Sequence, residues 1–394
     1  MTRPPLPHLL LPVAFAIACA AALWSVRMPT ADANQPATDG KSPAPPIAEA
    51  RPCDAAMPQV RWRVPMQARP TAPCAFPGGW IVADAAGGVT ALSQDGETLW
   101  RTALTGQVFE AAAAVAGDTA IVAAQRGLVA ALRLDTGRVV WTRTTDASFQ
   151  RPALIGTAGG ASVAWLLSQA DGTLICLKAA DGETVWQSEP TNRCDGEPAA
   201  WQGLLAYGNC DGAVHMFDAE TGRLKGSVPV GADAQMAGGM LVSQTLSGQA
   251  AFIAGTRGGS LVAVDPAANA VAARIKVSER ETFITPVAAF DGLVATGTDE
   301  GDLVFCRFDG ETLQEATRVA LGNPVSELAF AAGRLYALAG GDLRMLIRLP
   351  QCAAGRMALG DDVYGLSIGA DDEIACIADQ SVVCMRTGQA GGGQ

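Results

Sequence analysis

One short unit recurs along this chain. "ALSQDGETLW" ends at Trp100, "ALRLDTGRVVW" at Trp141 and "CLKAADGETVW" at Trp186. "MFDAETGRLKG", ending at Gly226, has the same shape without the Trp. Each reads as the end of a strand, a tight turn, and the start of a second strand. The Asp-Gly or Thr-Gly pair supplies the positive φ that a short hairpin needs. Aligned on the turn residue, the units fall at Gly96, Gly137, Gly182, Gly222, Asn269, Gly310, Gly355 and Gly388. Successive spacings are 40–47 residues, apart from 33 for the last. That is the length of one propeller blade of four strands.

The runs between turns support strands. In the third unit "VAWLLS" (163–168), "TLICLK" (173–178) and "ETVWQSE" (183–189) follow an approach run at 152–156. Such Ala-, Val-, Leu- and Ile-rich runs suit strands buried on both faces. No stretch carries the apolar period of a long amphipathic helix. Eight turns predict eight blades, but only six residues follow Gly388, too few for the last outer strand. "VRWRVPM" (60–66) has the form of that missing strand, with Trp62 matching Trp100, Trp141 and Trp186. Laid beside the last blade, it closes the ring and removes an open sheet edge. The expected fold is an all-β, eight-bladed β-propeller over residues 60–388, the N-terminal strand closing the last blade, with 389–394 as a flexible tail.

The pattern Ala-x-x-x-Asp/Thr-Gly-x-x-x-Trp resembles the tryptophan-docking repeat of the pyrroloquinoline-quinone-type β-propellers. Gly137 with Trp141 fits it best, and Gly96 with Trp100 and Gly182 with Trp186 follow. The resemblance implies that each Trp packs on the turn of a neighbouring blade. In the later units Gly226, Ala273, Gln314 and Leu359 stand where the Trp would be. There the assignment rests on spacing and turns.

The chain opens with a targeting segment, residues 1–27. Residues 9–26 form an apolar run of 18 behind Arg3. It reads as a cleaved signal, with "ADA" (31–33) before Asn34, as a lipoprotein signal with Cys19 at the lipidation position, or as an uncleaved anchor. All three export the rest. Residues 28–59 hold seven prolines and no apolar period, the composition of a disordered tether. The expected location is periplasmic and membrane-tethered, in the inner or the outer membrane.

The formal charge of −11 argues against nucleic acid, because phosphate binding needs Lys and Arg. Ten cysteines include no CxxC pair, and the two histidines are His8 and His215, so a zinc site is not expected. His215, between apolar neighbours, reads as a structural side chain. Export permits disulfides. Cys194, in a loop entering an inner strand, and Cys210, in the hairpin between the second and third strands, fall on one face and are a candidate disulfide. Cys376 and Cys384 flank a hairpin turn; buried free thiols are the reading favoured there.

No compact constellation of catalytic groups is visible. The resemblance implies that a quinone-dependent dehydrogenase would need calcium ligands, a catalytic Asp, a Trp floor and often an adjacent Cys-Cys pair; this chain has no such pair, is shorter than those enzymes, and shows no compact Glu/Asn/Asp set for calcium. The expectation is therefore no enzyme, no cofactor and no metal. What remains is a surface: the loops entering the inner strands converge on the mouth of the central channel. Phe149, Arg151, Arg280, Glu281 and Phe283 mix aromatic and charged groups there, a composition that suits partner binding. In size, export and blade count the chain resembles the branch of the family that serves the outer-membrane β-barrel assembly machinery. That resemblance implies a non-catalytic scaffold contacting the barrel insertase. The alternatives are a propeller scaffold or sensor of another envelope complex, anchored in the inner membrane, and a quinone-dependent dehydrogenase.

Overall fold

The computed structural model describes residues 56–386, except 232–234, 237, 246–247, 280–286, 291, 332 and 348–352. Within these residues 32 strands form eight four-stranded antiparallel sheets. Blades 1 to 7 are consecutive in sequence: Cys74–Ala103, Ala114–Thr144, Leu154–Gln187, Ala199–Pro229, Met240–Lys276, Ala288–Ala320 and Val325–Ala358. Blade 8 combines Val363–Ile368, Glu373–Ala378 and Ser381–Arg386 with the N-terminal strand Gln59–Pro65. That strand pairs antiparallel with the third, Gln59 opposite Arg386 and Pro65 opposite Ser381. The ring thus closes as the sequence implies, an all-β, eight-bladed propeller.

The two middle strands of each blade are the apolar runs, and they are buried over most of their length, and throughout in Gly79–Ala83 and Glu373–Ala378. A strand covered on both faces cannot alternate polar with apolar residues, which is why these runs look continuous. The core is eight clusters, each shared by two neighbouring blades. The cluster that seals blade 8 to blade 1 contains Trp80, Val82, Ala375, Ile377 and Cys384.

All eight outer strands carry a bulge. In blades 1 to 3 the residue skipped by the pairing is Leu99, Val140 or Val185, and the next is the Trp. One extra residue re-aims the side chain after it and leaves its own side chain unpaired. The bulge thus turns the Trp toward the adjoining blade and puts Leu99, Val140 and Val185 in solvent.

The ring is held by two devices. A Cβ on Gly96, Gly137, Gly182 or Gly222 would overlap the indole of Trp62, Trp100, Trp141 or Trp186, respectively. Each indole N–H donates to a carbonyl in the same turn: Gln94 (2.7 Å), Leu134 (2.7 Å), Ala179 (2.9 Å) and Ala219 (3.2 Å). These four Trp close the junctions from blade 8 through blade 4. The other four junctions use arginine. Arg274, Arg318, Arg344 and Arg63 donate to the carbonyls of Val230, Val277, Leu321 and Leu359. In every case the acceptor is the first residue after the outer strand of the preceding blade. Leu359, aligned above with the docking Trp, therefore serves through its backbone. Gly355 lies in the outer strand Ala353–Ala358 of blade 7 and not in its turn.

Candidate functional site

Two ends of the ring differ. At one end lie the turns joining first to second and third to fourth strands. At the other, the loop face, lie the hairpins between second and third strands and the loops that enter each inner strand. The loop that holds Phe149 and Arg151 enters blade 3 at the loop face.

Phe149 is not a surface residue. It is fully buried and packs with Trp141, Leu166 and Ile175 between blades 2 and 3. Its loop folds inward because Gln169, itself buried in the neighbouring hairpin, pins both sides. The Gln169 N–H donates to the Ser148 carbonyl at 2.9 Å, and its Oε1 accepts the Gln150 N–H at 2.6 Å. An aromatic in a loop that can reach the core buries its ring. Arg151, two residues on, stays exposed. Its Nε donates to the Asp195 carbonyl at 3.0 Å, and Nη1 lies 3.8 Å from Glu197 Oε1. Arg151 thereby joins blade 3 to the entry loop of blade 4. Glu197 continues the chain of contacts by a backbone bridge to Gly239 at the start of blade 5. Arg280, Glu281 and Phe283 lie outside the described residues, as does Cys19.

Cys176, Cys194, Cys210, Cys306, Cys376 and Cys384 are free thiols. Cys194 is fully buried and its Sγ donates to the Gly208 carbonyl at 3.1 Å. Burial pushes its pKa up to about 12. Cys376 pairs with Val383 and Cys384 with Ala375. Their side chains thus leave opposite faces of the sheet, and the two cannot bridge.

His215 sits in a polar network of blade 4. Its Nε2 is 3.2 Å from Asp211 Oδ2 and 3.0 Å from Asn209 Nδ2, and its Nδ1 is 3.1 Å from Ser227 Oγ. Asn209 also reaches Thr191 Oγ1 at 3.4 Å, and Thr191 Oγ1 lies 2.9 Å from Tyr207 Oη. The ring links the third strand to the outer strand and the hairpin, which gives every polar atom of the imidazole a partner.

Sequence reading missed Glu327, on the inner strand of blade 7. Its carboxylate accepts the N–H groups of Gly365 (2.7 Å) and Leu366 (2.6 Å), tying blade 7 to blade 8 beside the channel. Burial raises its pKa, opposed by those two hydrogen bonds. Nearby, the Arg69 guanidinium lies over the Tyr364 ring, 5.1 Å from its centroid. The Tyr364 hydroxyl donates to the Pro70 carbonyl at 2.7 Å. A carboxylate on a bulged inner strand has no sequence signature. Between blades 5 and 6 a cleft is lined by Lys276, Ser278, Glu279, Glu300 and Arg318, and Arg318 is already held by Asp302 (2.9 Å) and Glu315 (2.9 Å). Among the described residues no three His, Cys, Asp or Glu come together as metal ligands, and no helix is long and apolar enough to cross a membrane.

Comparison with known proteins agrees with this architecture. Among solved structures, BamB from Moraxella catarrhalis superposes with a TM-score of 0.68 at 16% identity, covering 84% of this chain and 100% of that one. A quinohemoprotein alcohol dehydrogenase from Pseudomonas putida gives 0.68 at 11% identity, covering 86% and 77%. At such identities both show the fold alone. In sequence, the outer membrane protein assembly factor BamB of Pseudomonas aeruginosa is 28% identical over 150 residues, 38% of this chain and 36% of that protein. BamB of Marinobacter adhaerens is 31% identical over 111 residues, 28% and 27% of the two chains. The chain thus matches these two relatives over roughly a third of their length or less. A family profile described as the outer membrane protein assembly factor BamB reaches further, over residues 50–164 and 152–338. With more than half of its length matched, the chain belongs to the BamB family.

Proposed function

We propose that this protein is a non-catalytic scaffold of the cell envelope that assists the assembly of outer-membrane proteins by binding the barrel insertase. The observation that carries the reading is the family match over residues 50–338. The apolar run at 9–26, whether cleaved, lipidated at Cys19 or retained, exports the chain, and the Pro-rich segment up to residue 55 tethers the propeller, because Gln59 already pairs in the closing strand. The loop face supports a binding role. Arg151 is an exposed cation held by the entry loop of blade 4, so it meets a partner already positioned. Arg280, Glu281 and Phe283, outside the described residues, stay candidates on sequence grounds alone.

Crosslinking in native membranes, followed by affinity purification and mass spectrometry, tests this. The expected result is recovery of the barrel insertase from wild type, with at least a several-fold loss for Arg151→Glu. Recovery of an inner-membrane complex without the insertase would reject the assembly role and leave a scaffold of another envelope complex.

A further inference from the structure

Blade 4 stands where the two junction devices meet: Trp186 docks on its turn from blade 3, and Arg274 clasps it from blade 5. At the loop face of this blade two thiols lie on adjoining segments. The Cys210 N–H donates to the Arg193 carbonyl at 3.0 Å. The hairpin therefore runs beside the entry loop at the separation of paired strands, about 5 Å, inside the Cα range that a disulfide spans. Each sulfur lies against the other's segment. Cys194 Sγ is 3.1 Å from the Gly208 carbonyl, two residues before Cys210. Cys210 Sγ is 4.0 Å from Asp195 Oδ2, one residue after Cys194. The other hairpin pair, Cys376 and Cys384, is excluded by register.

We infer that Cys194 and Cys210 are a disulfide-forming pair, and that their oxidation fixes the entry loop that carries the partners of Arg151. The structure holds the reduced form. Cys210 is the more exposed of the two, so it meets the oxidant, a disulfide such as oxidised glutathione or the active-site disulfide of an oxidoreductase. Its thiol gives up a proton, and the thiolate attacks one sulfur of that disulfide, breaking the S–S bond and releasing one thiol. The Cys194 thiolate, having lost its own proton, then attacks Cys210 Sγ in the mixed disulfide and releases the second thiol. Two protein thiols are oxidised by two electrons and the reagent disulfide is reduced to two thiols. The bond closes a loop from 194 to 210, and the chain between Asp195 and Glu197, which holds Arg151, leaves from its first residue. Burial raises the pKa of both thiols, so the exchange runs slowly without a catalyst.

The inference takes from the proposed function only the oxidising compartment, and the chemistry is tested without it. Purified full-length protein is equilibrated in glutathione buffers of graded potential, quenched in acid, alkylated and digested. The expected result is one peptide pair linked through 194 and 210, lost in Cys210→Ser. In hydrogen exchange, the amides of residues 192–198 should be at least about tenfold better protected in the oxidised wild type than in the reduced form. Cys210→Ser should show no such response to glutathione, and Cys194→Ala serves as a second variant if the first misfolds. Alkylation of both thiols at every potential would overturn the pairing. A linked peptide with unchanged exchange would overturn the control of the loop. Neither outcome bears on recovery of the insertase, so the two readings fail separately.

Discussion

Among single residues, the glycines under the indoles leave least room. Gly137 has φ of +68°, and a Cβ there would overlap the Trp100 ring. Gly106 has φ of +80° but nothing within 4 Å of its Cβ position. Gly106→Ala should cost about 1 kcal/mol, the conformational part alone. Gly137→Ala should cost about 3 kcal/mol or more, because the ring must also move. Urea unfolding of the two variants separates the effects; equal losses would deny the docking. Glu327 tests burial of charge. Its folded pKa is raised, so the native state binds the proton more tightly than the unfolded chain. That contribution is complete below the ordinary carboxylate value, 4.5, and is lost as pH rises through the raised folded value. Wild type should therefore gain melting temperature relative to Glu327→Gln as pH falls from 7 toward 4.5; a constant difference would reject the shift. The indole positions were legible in the sequence because Gly and Trp recur at a fixed spacing. Phe149 was misplaced because loop membership says nothing about whether a ring can reach the core. Glu327 was missed because its partners are backbone N–H groups.

At the level of strands, the bulge connects local pairing to ring assembly. Half the junctions bury an indole, and half hang on a guanidinium that meets a carbonyl. Trp141→Ala should cost about 3–5 kcal/mol through the cavity it leaves. The arginine junctions should respond to ionic strength where the indole junctions do not. Arg318, for example, depends on Asp302 and Glu315 at its flanks, and such partly exposed pairs are screened by salt. Hydrogen exchange of the outer strands of blades 5 and 6 should speed up between 0.05 and 0.5 M salt, by about two- to fivefold, with blades 1 to 3 unchanged. A uniform change would show that the two halves do not differ. These clasps could not be read from sequence. Arg274 sits on an outer strand and Arg344 on a third strand, so no spacing repeats, and a carbonyl acceptor leaves no residue signature. The bulges and the cations of the outer strands also blunt edges that would otherwise add strands from another molecule.

For the whole molecule, closure depends on one strand from the far end of the chain. Removing residues 1–66 would strip the Gln59–Pro65 strand from Ser381–Arg386, take Trp62 off Gly96, and uncover the cluster around Trp80 and Val82. The truncated protein should lose at least about 10 °C in melting temperature and associate in size-exclusion chromatography; a monomer of unchanged stability would mean that the ring closes without it. Eight blades were legible because turns recur at blade length and because Val60–Met66 looks like a displaced outer strand. The loop face was legible only in outline, since its contacts, such as Arg151 on the Asp195 carbonyl, run between segments more than forty residues apart.

The pairing of Gln59 with Arg386 also sets a compass for the molecule. The third strand of blade 8 starts at the hairpin of Asp379 and Gln380, on the loop face, and runs away from it. The N-terminal strand therefore begins at the opposite end, and all that precedes it departs from there. A propeller held by its N-terminus hangs with its floor toward the point of attachment and its mouth toward open space. A partner seated in the same membrane must reach past the ring's full height, or the cord must be slack enough for the ring to turn over. If residues 28–55 act as the proposed tether, shortening them changes which way the ring can look before it changes how well it binds.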